Sequence, residues 1–302
     1  MNIFQKNAKK LVILATIAGA ASVVFIRLIE TNQMAMGFYR LGFAVIMFSI
    51  PIALGGYKDF RGLTKKDVAY CVLAGFFLFC HFTCWFTAVK NTTIASAAVL
   101  ASLHPLVILL VTYVFMKQKV NMKAVVGILI ALSGGAVIAG FDYSFTRSDI
   151  FGDACGLLTA VFFGFYFLVG SKMRSKIPNI NYVFLVFGSC WVFFTIAMFV
   201  TGTPFTGYRP IDYFWIFAMA VVCQLIAHAM YNWCMGYASS LYVSVWVSID
   251  PVFSTAFGVV FFHELPAIWQ YIGGAIAISG LVYYNYHEEK TKVAKQEGPH
   301  GV

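Results

Sequence analysis

The segments "VVGILIALSGGAVI" (residues 125–138) and "QYIGGAIAISGLVY" (residues 270–283) decide the fold, because one pattern of small and branched residues occurs in both. A shift of 146 residues, the distance from Gly127 to Gly273, aligns them without a gap. The same register pairs Pro105 with Pro251, Phe115 with Phe261, Ile130 with Ile276, Ala131 with Ala277, Ser133 with Ser279 and Gly134 with Gly280. An ungapped register that retains a proline and several glycines predicts two structural repeats.

The composition around these segments is that of a membrane protein. Of the 302 residues, 61% are hydrophobic and 11% are charged, and the mean hydropathy is +0.81. A soluble domain is about half apolar and about a quarter charged. Runs long enough to cross ~30 Å of hydrocarbon as helix recur along the whole chain. We therefore predict an all-α polytopic membrane protein and exclude a soluble domain.

The apolar runs predict ten transmembrane helices. They span roughly 11–29, 34–55, 67–90, 93–116, 122–141, 150–171, 181–201, 212–237, 239–262 and 266–287. A first five-helix repeat then covers 11–141 and a second covers 150–287, with an N-terminal segment 1–10 and a polar tail 288–302 that we expect to be unstructured. The first run is too long for the apolar core of a signal peptide, so no cleaved signal is expected.

Seven cysteines all fall inside the predicted spans, at spacings that fit neither a zinc site nor a disulfide framework. We interpret them as small apolar packing residues.

Lysine and arginine predict the orientation, because cytoplasmic loops carry an excess of both. With the N-terminus inside, the inside segments hold Lys6, Lys9, Lys10, Lys58, Arg61, Lys65, Lys66, Lys117, Lys119, Lys123, Lys172, Arg174, Lys176, Lys290, Lys292 and Lys295. The outside segments hold Lys90, Arg147 and Arg209. Both termini are therefore expected in the cytoplasm of a cell-membrane protein. Since the net charge of +9 is scattered over short loops, it does not indicate a nucleic-acid partner.

The two repeats must insert with opposite orientations, because each contains an odd number of helices. The charges agree with this inversion. The 117–123 loop has three lysines while its counterpart at 263–269 has no lysine or arginine, and the reverse holds for 30–34 and 172–176. Inverted repeats around a central cavity are typical of secondary transporters.

Three stretches carry a family resemblance: "YRLGFAV" (39–45), "AVKNTTIASAAVLASLHPLVILL" (88–110) and "YASSLYVSVWVSIDPVFSTAFGVVFFHELPAIWQYIGGAIAISG" (237–280). In their order and spacing the chain resembles the ten-helix EamA-type members of the drug/metabolite transporter superfamily, over about residues 10–287. The first repeat departs from the family pattern at Gln118, where an acidic residue is common. The resemblance implies a transporter of small metabolites, often outward and often amino acids.

Polar side chains within the spans are the candidate site residues, because such groups usually face a bundle interior or a cavity. The predicted substrate-binding residues share helical faces and are His81, Trp85, Gln224, His228, Tyr231, Asn232 and Trp246. His104 and Asp250 occupy equivalent positions, each directly before a proline near mid-membrane, and are predicted to act in binding or coupling. Pro105 and Pro251 are predicted hinges.

Each of these residues also has a purely structural interpretation. A histidine in an apolar helix can bond a carbonyl group, and the tryptophans can face lipid. Asp250 can bind a substrate amine, pair with a histidine or carry a proton, or it can simply satisfy backbone groups at the kink. For Arg40 we favour a structural role in tying helices together, and for Glu264 helix capping or a local polar contact.

No sequence motif indicates an enzyme. The chain has no Walker-type glycine loop, no metal-ligand motif and no catalytic triad spacing. We therefore expect no cofactor, no metal and no catalytic residue. The leading hypothesis is a monomeric secondary-active exporter of amino acids or similar small polar metabolites, with protons as a candidate coupling ion. The alternatives are an importer of a vitamin-like or amine compound, and a non-transporting membrane scaffold or enzyme.

Overall fold

The described residues form ten helices, α1 to α10, and a short 3-10 helix (Gly56–Gly62) between α2 and α3. A computed structural model describes residues 3–114, 122–141 and 147–297. The helices are α1 (Ile3–Ala20 and Ser22–Leu28), α2 (Gln33–Ala53), α3 (Lys65–Asn91), α4a (Ile94–Ala101), α4b (His104–Val114), α5 (Met122–Phe141), α6 (Arg147–Arg174), α7 (Asn179–Thr201), α8 (Pro210–Met235), α9a (Ser240–Val247), α9b (Asp250–Phe262) and α10 (Ile268–Glu297). Within the described residues, α1 to α4 and α6 to α9 are long and apolar enough to span a membrane. The prediction of an all-helical polytopic membrane protein is confirmed.

Four helical segments of the two repeats start at equivalent positions. They begin 146 residues apart, at Gln33 and Asn179, Ile94 and Ser240, His104 and Asp250, and Met122 and Ile268. The N-caps of α4a and α9a match too. Thr93 accepts a hydrogen bond from Ser96 N, and Ser239 accepts one from Tyr242 N. The register read from a few small residues therefore extends to the start positions of several helices.

Proline breaks α4 and α9 at equivalent points, because Pro105 and Pro251 have no N–H to continue the helical ladder. α4a ends at Ala101, and α9a ends at the equivalent Val247. Just after each end, the amides of Ser102 and Ser248 still bond within their own helices, each at 3.0 Å. The second half of each helix then starts at the residue before its proline.

The two breaks contact each other in the middle of the bundle. Ser248 Oγ donates a hydrogen bond to Ser102 O (2.8 Å), and these residues are exact counterparts in the 146-residue register. A contact between counterparts requires that the two-fold axis relating the repeats passes between them. Since backbone groups inside a membrane must be satisfied within the protein, this bond replaces one that the helix break removes.

The backbones of α5 and α10 pack in close contact. A Cβ atom added to Gly127 would lie 2.7 Å from Gly280 O, and one added to Gly134 would lie 2.4 Å from Gly273 O. These two contacts are related by the same two-fold axis. Small residues spaced along both helices let the backbones touch, which is the usual basis of close helix packing in membranes.

The first helix of each repeat packs against the other repeat. α1 lies against α8 and α9, and α6 lies in the same way against α3 and α4. This exchange interlocks the two halves and surrounds a central space with helices from both.

The structure differs from the sequence prediction at the C-terminus. α10 continues to Glu297, through most of the tail for which we expected no structure. The segment "HEEKTKVAKQE" (287–297) is rich in good helix formers, and Glu288 precedes Lys292 by four residues, the spacing that stabilises a helix. Phe115, Lys117, Gln118, Lys119 and residues 298–302 lie outside the described residues.

The α5–α10 contact predicts opposite effects for two glycines of α10. A Cβ at Gly280 would lie 2.4 Å from Ala131 N, whereas nothing lies within 4 Å of one at Gly274. Gly280→Ala should lower the free energy of unfolding by roughly 1–3 kcal/mol, the range for overpacking. Gly274→Ala should leave stability unchanged or raise it, because alanine favours helix. Thermal denaturation of both variants in detergent checks this, and equal melting temperatures would contradict the packing described.

Candidate functional site

A central cavity lies where α1, α2, α3, α4, α6, α8 and α9 meet, beside the two helix breaks. Its empty space is about 550 Å³, including the part open to solvent. Ligand sites of helix bundles lie between the helices, so this space is the candidate site.

The structure brings six predicted site residues together around this cavity, and they are His81, Trp85, His104, His228, Tyr231 and Asp250. The repeat register explains part of this set. Phe82 and Trp85 on α3 are the counterparts of His228 and Tyr231 on α8, and all four side chains line the cavity. Pro105 and Pro251 lie at the breaks, directly after His104 and Asp250.

Three predicted residues lie away from the cavity. Gln224 and Asn232 are fully buried against neighbouring helices, where Gln224 Oε1 accepts a hydrogen bond from Arg40 Nε and the Asn232 amide contacts Tyr166 OH. The expectation that the polar residues of α8 share one face assumed regular α-helix. Residues Ala220–His228 instead form a π-helix, in which each residue turns through a smaller angle.

Trp246, the third of these residues, is half-buried on the opposite side of α9a. It lines a separate apolar groove with Leu281 and Val282 of α10.

Asp250 stands at the first turn of α9b. Its Oδ1 atom accepts a hydrogen bond from Ser254 Oγ (2.7 Å), and the start of a helix favours a negative charge. None of the ion pairs formed among the described residues includes Asp250, so the predicted pairing with a histidine is not observed. The carboxylate therefore faces the cavity without a cationic partner.

His104 bridges the two helix breaks. Its Nδ1 atom lies 3.0 Å from Ala101 O, and its Nε2 atom lies 3.2 Å from Ser244 O. Both neighbours are acceptors, and a neutral imidazole donates from only one nitrogen. The neutral ring therefore makes one of these hydrogen bonds, whereas a protonated ring makes both and ties α4 to α9a.

Phe163 on α6 forms an aromatic wall that the sequence analysis missed. Its ring centroid lies 4.5 Å from that of His81 in a stacked arrangement, 4.8 Å from that of His104 and 5.9 Å from that of His228. The nearby Thr159 O lies 3.2 Å from His81 Nδ1. The run "VFFGFYF" (161–167) contains no charged residue, so only the position of α6 reveals its role.

Arg40 on α2 is the one arginine of the cavity wall among the described residues. Its side chain is 1% exposed, and its Nε atom donates to Gln224 Oε1 at 3.2 Å. The sequence analysis favoured a structural role for this residue. The bond to Gln224 does tie α2 to α8, but the guanidinium also contributes a positive charge to the cavity.

A polar network closes one end of the bundle, where the α3–α4 and α9–α10 connections meet. Glu264 Oε1 accepts a hydrogen bond from Ile94 N (2.7 Å) at the start of α4a, so the expected capping role is observed. Glu264 Oε2 lies 3.5 Å from Arg27 Nη2, and the same nitrogen donates to Thr92 O (2.9 Å). We call this set the Glu264 network.

A second ion-pair cluster lies at the same end. Arg209 Nη2 lies 2.8 Å from Asp212 Oδ1, and Arg209 Nη1 lies 2.6 Å from Glu30 Oε2. The hydrogen bond to Asp212 raises the pKa of Arg209, and the bond to Glu30 adds to this. α1 is thereby tied to the start of α8.

Metal binding has no support in the part of the chain that the structure describes. The three cavity histidines and Asp250 do not form a group of three or more side chains placed to hold a metal ion.

Comparison with known proteins identifies similar chains. The sequence profile described as the EamA-like transporter family matches residues 8–140 and 150–286. An uncharacterized transporter of Archaeoglobus fulgidus is 24% identical over 283 residues, which cover 90% of this chain and 94% of the relative. A pseudopaline exporter, CntI, of Pseudomonas aeruginosa is 20% identical over 245 residues, or 81% of this chain and 83% of that protein.

A solved crystal structure has a similar fold. It superposes with a TM-score of 0.69 at 17% sequence identity and covers 95% of this chain and 99% of the other. At this identity the likeness shows the fold alone.

Variants of Glu264 separate its two contacts. Glu264→Gln keeps an oxygen to accept from Ile94 N but loses the ion pair with Arg27, which is partly exposed and of little stabilising value. Glu264→Ala loses both contacts and leaves the Ile94 amide without its acceptor, although Thr93 still caps α4a, at a cost of about 1 kcal/mol. We expect the melting temperature to fall slightly for the first variant and clearly for the second. A larger fall for Glu264→Gln than for Glu264→Ala would contradict the capping role.

Proposed function

Because the chain belongs to the EamA-like transporter family, within the drug/metabolite transporter superfamily, we propose that this membrane transporter is a secondary-active exporter. Its substrates in this proposal are amino acids or similar small polar metabolites, and it acts in the cytoplasmic membrane. The family is one of transporters, so the chain is not an enzyme.

The observation that carries the proposal is the pair of opposite charges in one cavity. Arg40 and Asp250 both line it, beside three histidines, between two interlocked repeats. Charged groups in a membrane interior are costly and usually mark a path for a polar substrate or ion. An apolar substrate would gain nothing from either charge, and a scaffold would not need them.

The helix breaks supply a mechanism for alternating access. Inverted-repeat transporters bind substrate at discontinuous helices near the midplane and rock one part of the bundle against the other. Pro105 and Pro251 are the proposed hinges, because each lacks the N–H that would donate to the helical ladder at its position. His104 and Asp250 lie at the ends of α4b and α9b that face the cavity, so both can contact a ligand bound there.

Export and orientation rest on two further arguments. The similar protein from Pseudomonas aeruginosa is described as an exporter. The excess of lysine and arginine in the predicted inside segments favours cytoplasmic termini. Asp250 is the proposed coupling residue, because a half-buried carboxylate without a cationic partner can bind a proton or a substrate amine.

Asp250→Asn tests this proposal, since it keeps the shape and the hydrogen bond from Ser254 while it removes the titrating group. The matched control is Asp59→Asn, because Asp59 is exposed in a short 3-10 helix between α2 and α3. Liposomes containing each protein are preloaded with a metabolite mixture, and counterflow is read by mass spectrometry from about pH 5.5 to 8, where histidine and raised carboxylates titrate. We expect exchange by Asp250→Asn to fall at least tenfold or to lose its pH dependence, and exchange by the control to match the parent. If the Asp250→Asn variant exchanges metabolites with the rate and the pH profile of the parent protein, the proposed coupling role of Asp250 is wrong.

A further inference from the structure

We propose that Arg40 is the anion subsite of the central cavity and binds the carboxylate of the transported molecule. This inference rests on the proposed function and extends it, because it assigns one end of the substrate to one side chain.

The guanidinium of Arg40 has more donors than acceptors. It carries five N–H groups. Nε donates to Gln224 Oε1 (3.2 Å), and Nη1 lies 3.8 Å from Met219 Sδ, which is a weak acceptor. Nη2 has no hydrogen-bond partner among the described residues. A side chain that is 1% exposed and lines the cavity therefore keeps donors free for a ligand.

The positive charge of Arg40 is also uncompensated within the described residues, since no carboxylate oxygen lies within 4 Å of it. Arg27 and Arg209, by contrast, pair with carboxylates. A cation in the membrane interior without a carboxylate partner is costly unless an anion arrives.

The aromatic neighbours orient Arg40 for binding at its edge. The guanidinium carbon lies 4.2 Å from the ring centroid of Phe82 and 5.8 Å from that of Phe86, and these two rings are stacked. Aromatic faces stabilise the flat side of a guanidinium but accept no ordinary hydrogen bond from its edge. A planar carboxylate matches that edge with two parallel hydrogen bonds, which lysine does not provide.

Asp250 lies on the same cavity and forms no ion pair with Arg40 among the described contacts. A molecule with a carboxylate and an amine can therefore contact both charges at once, with the carboxylate on Arg40 and the amine on Asp250. The competing arrangement is a direct Arg40–Asp250 pair in another conformation, in which the substrate needs no carboxylate.

Three probe pools distinguish these arrangements in the unmodified protein. Liposomes are preloaded with L-amino acids that have uncharged side chains, with their α-carboxamides, or with their N-acetyl derivatives. The carboxamides keep the amine and lose the carboxylate, whereas the N-acetyl derivatives keep the carboxylate and lose the amine. We expect the free amino acids to exchange at least tenfold faster than the carboxamides.

Variants of Arg40 assign that preference to the side chain. Arg40→Gln should exchange free acids and carboxamides at similar rates, and Arg40→Lys should retain part of the preference because it keeps the charge but not the planar fork. Arg61→Gln is the control, since Arg61 is exposed outside the cavity, and it should behave as the parent does.

The outcomes separate the two proposals. Equal exchange of free acids and carboxamides by the parent overturns the anion subsite and leaves the transport function standing. A preference that persists in Arg40→Gln overturns the assignment to Arg40. No exchange of any pool by folded protein overturns the proposed function, and the subsite falls with it. If Arg40→Gln does not fold, the parental comparison and Arg40→Lys still decide.

Discussion

The structure depends on how the backbone groups at two prolines inside the membrane find hydrogen-bond partners. Pro105 and Pro251 each interrupt a helix where no water is present to bond the freed groups. Each break sits against the other, so that Ser248 Oγ bonds Ser102 O and His104 Nε2 approaches Ser244 O. Two breaks that would be costly apart stabilise each other when the repeats are inverted and meet at their shared axis.

Symmetric packing then surrounds an asymmetric site. α5 and α10 touch through glycines in symmetric pairs, and α1 and α6 are exchanged between the repeats. The residues around the cavity break that symmetry, because the counterpart of Asp250 is His104 and the counterpart of Arg40 is Val186. The fold therefore provides two equivalent helix breaks, while the charges that we propose bind a ligand are placed only once.

Much of the fold was predictable from the sequence, because apolar length and loop charge are dictated by the membrane itself. The cavity was predictable only in part. Reading α8 by regular helical periodicity included Gln224 and Asn232, which are buried in hydrogen bonds with Arg40 and Tyr166 and do not line the cavity.

The repeat register held a better signal for α8. The counterparts of Gln224 and Asn232 are Leu78 and Phe86, which are core residues, whereas those of His228 and Tyr231 are Phe82 and Trp85 on the cavity wall. Phe163 carried no such signal, because an aromatic residue in an apolar run looks the same whether it faces lipid or a cavity.

Transport as proposed requires that this cavity opens in turn to each side of the membrane. The most direct measurement places a single cysteine at Ala98, on the cavity wall, in a protein whose seven native cysteines are replaced. A membrane-impermeant thiol reagent is applied to either side of oriented vesicles. The account predicts reaction from both sides, slowed by an exchanging amino acid, and no reaction for a cysteine at Ala131 in the α5–α10 contact. Reaction of the Ala98 position from one side only, or from neither, would contradict it.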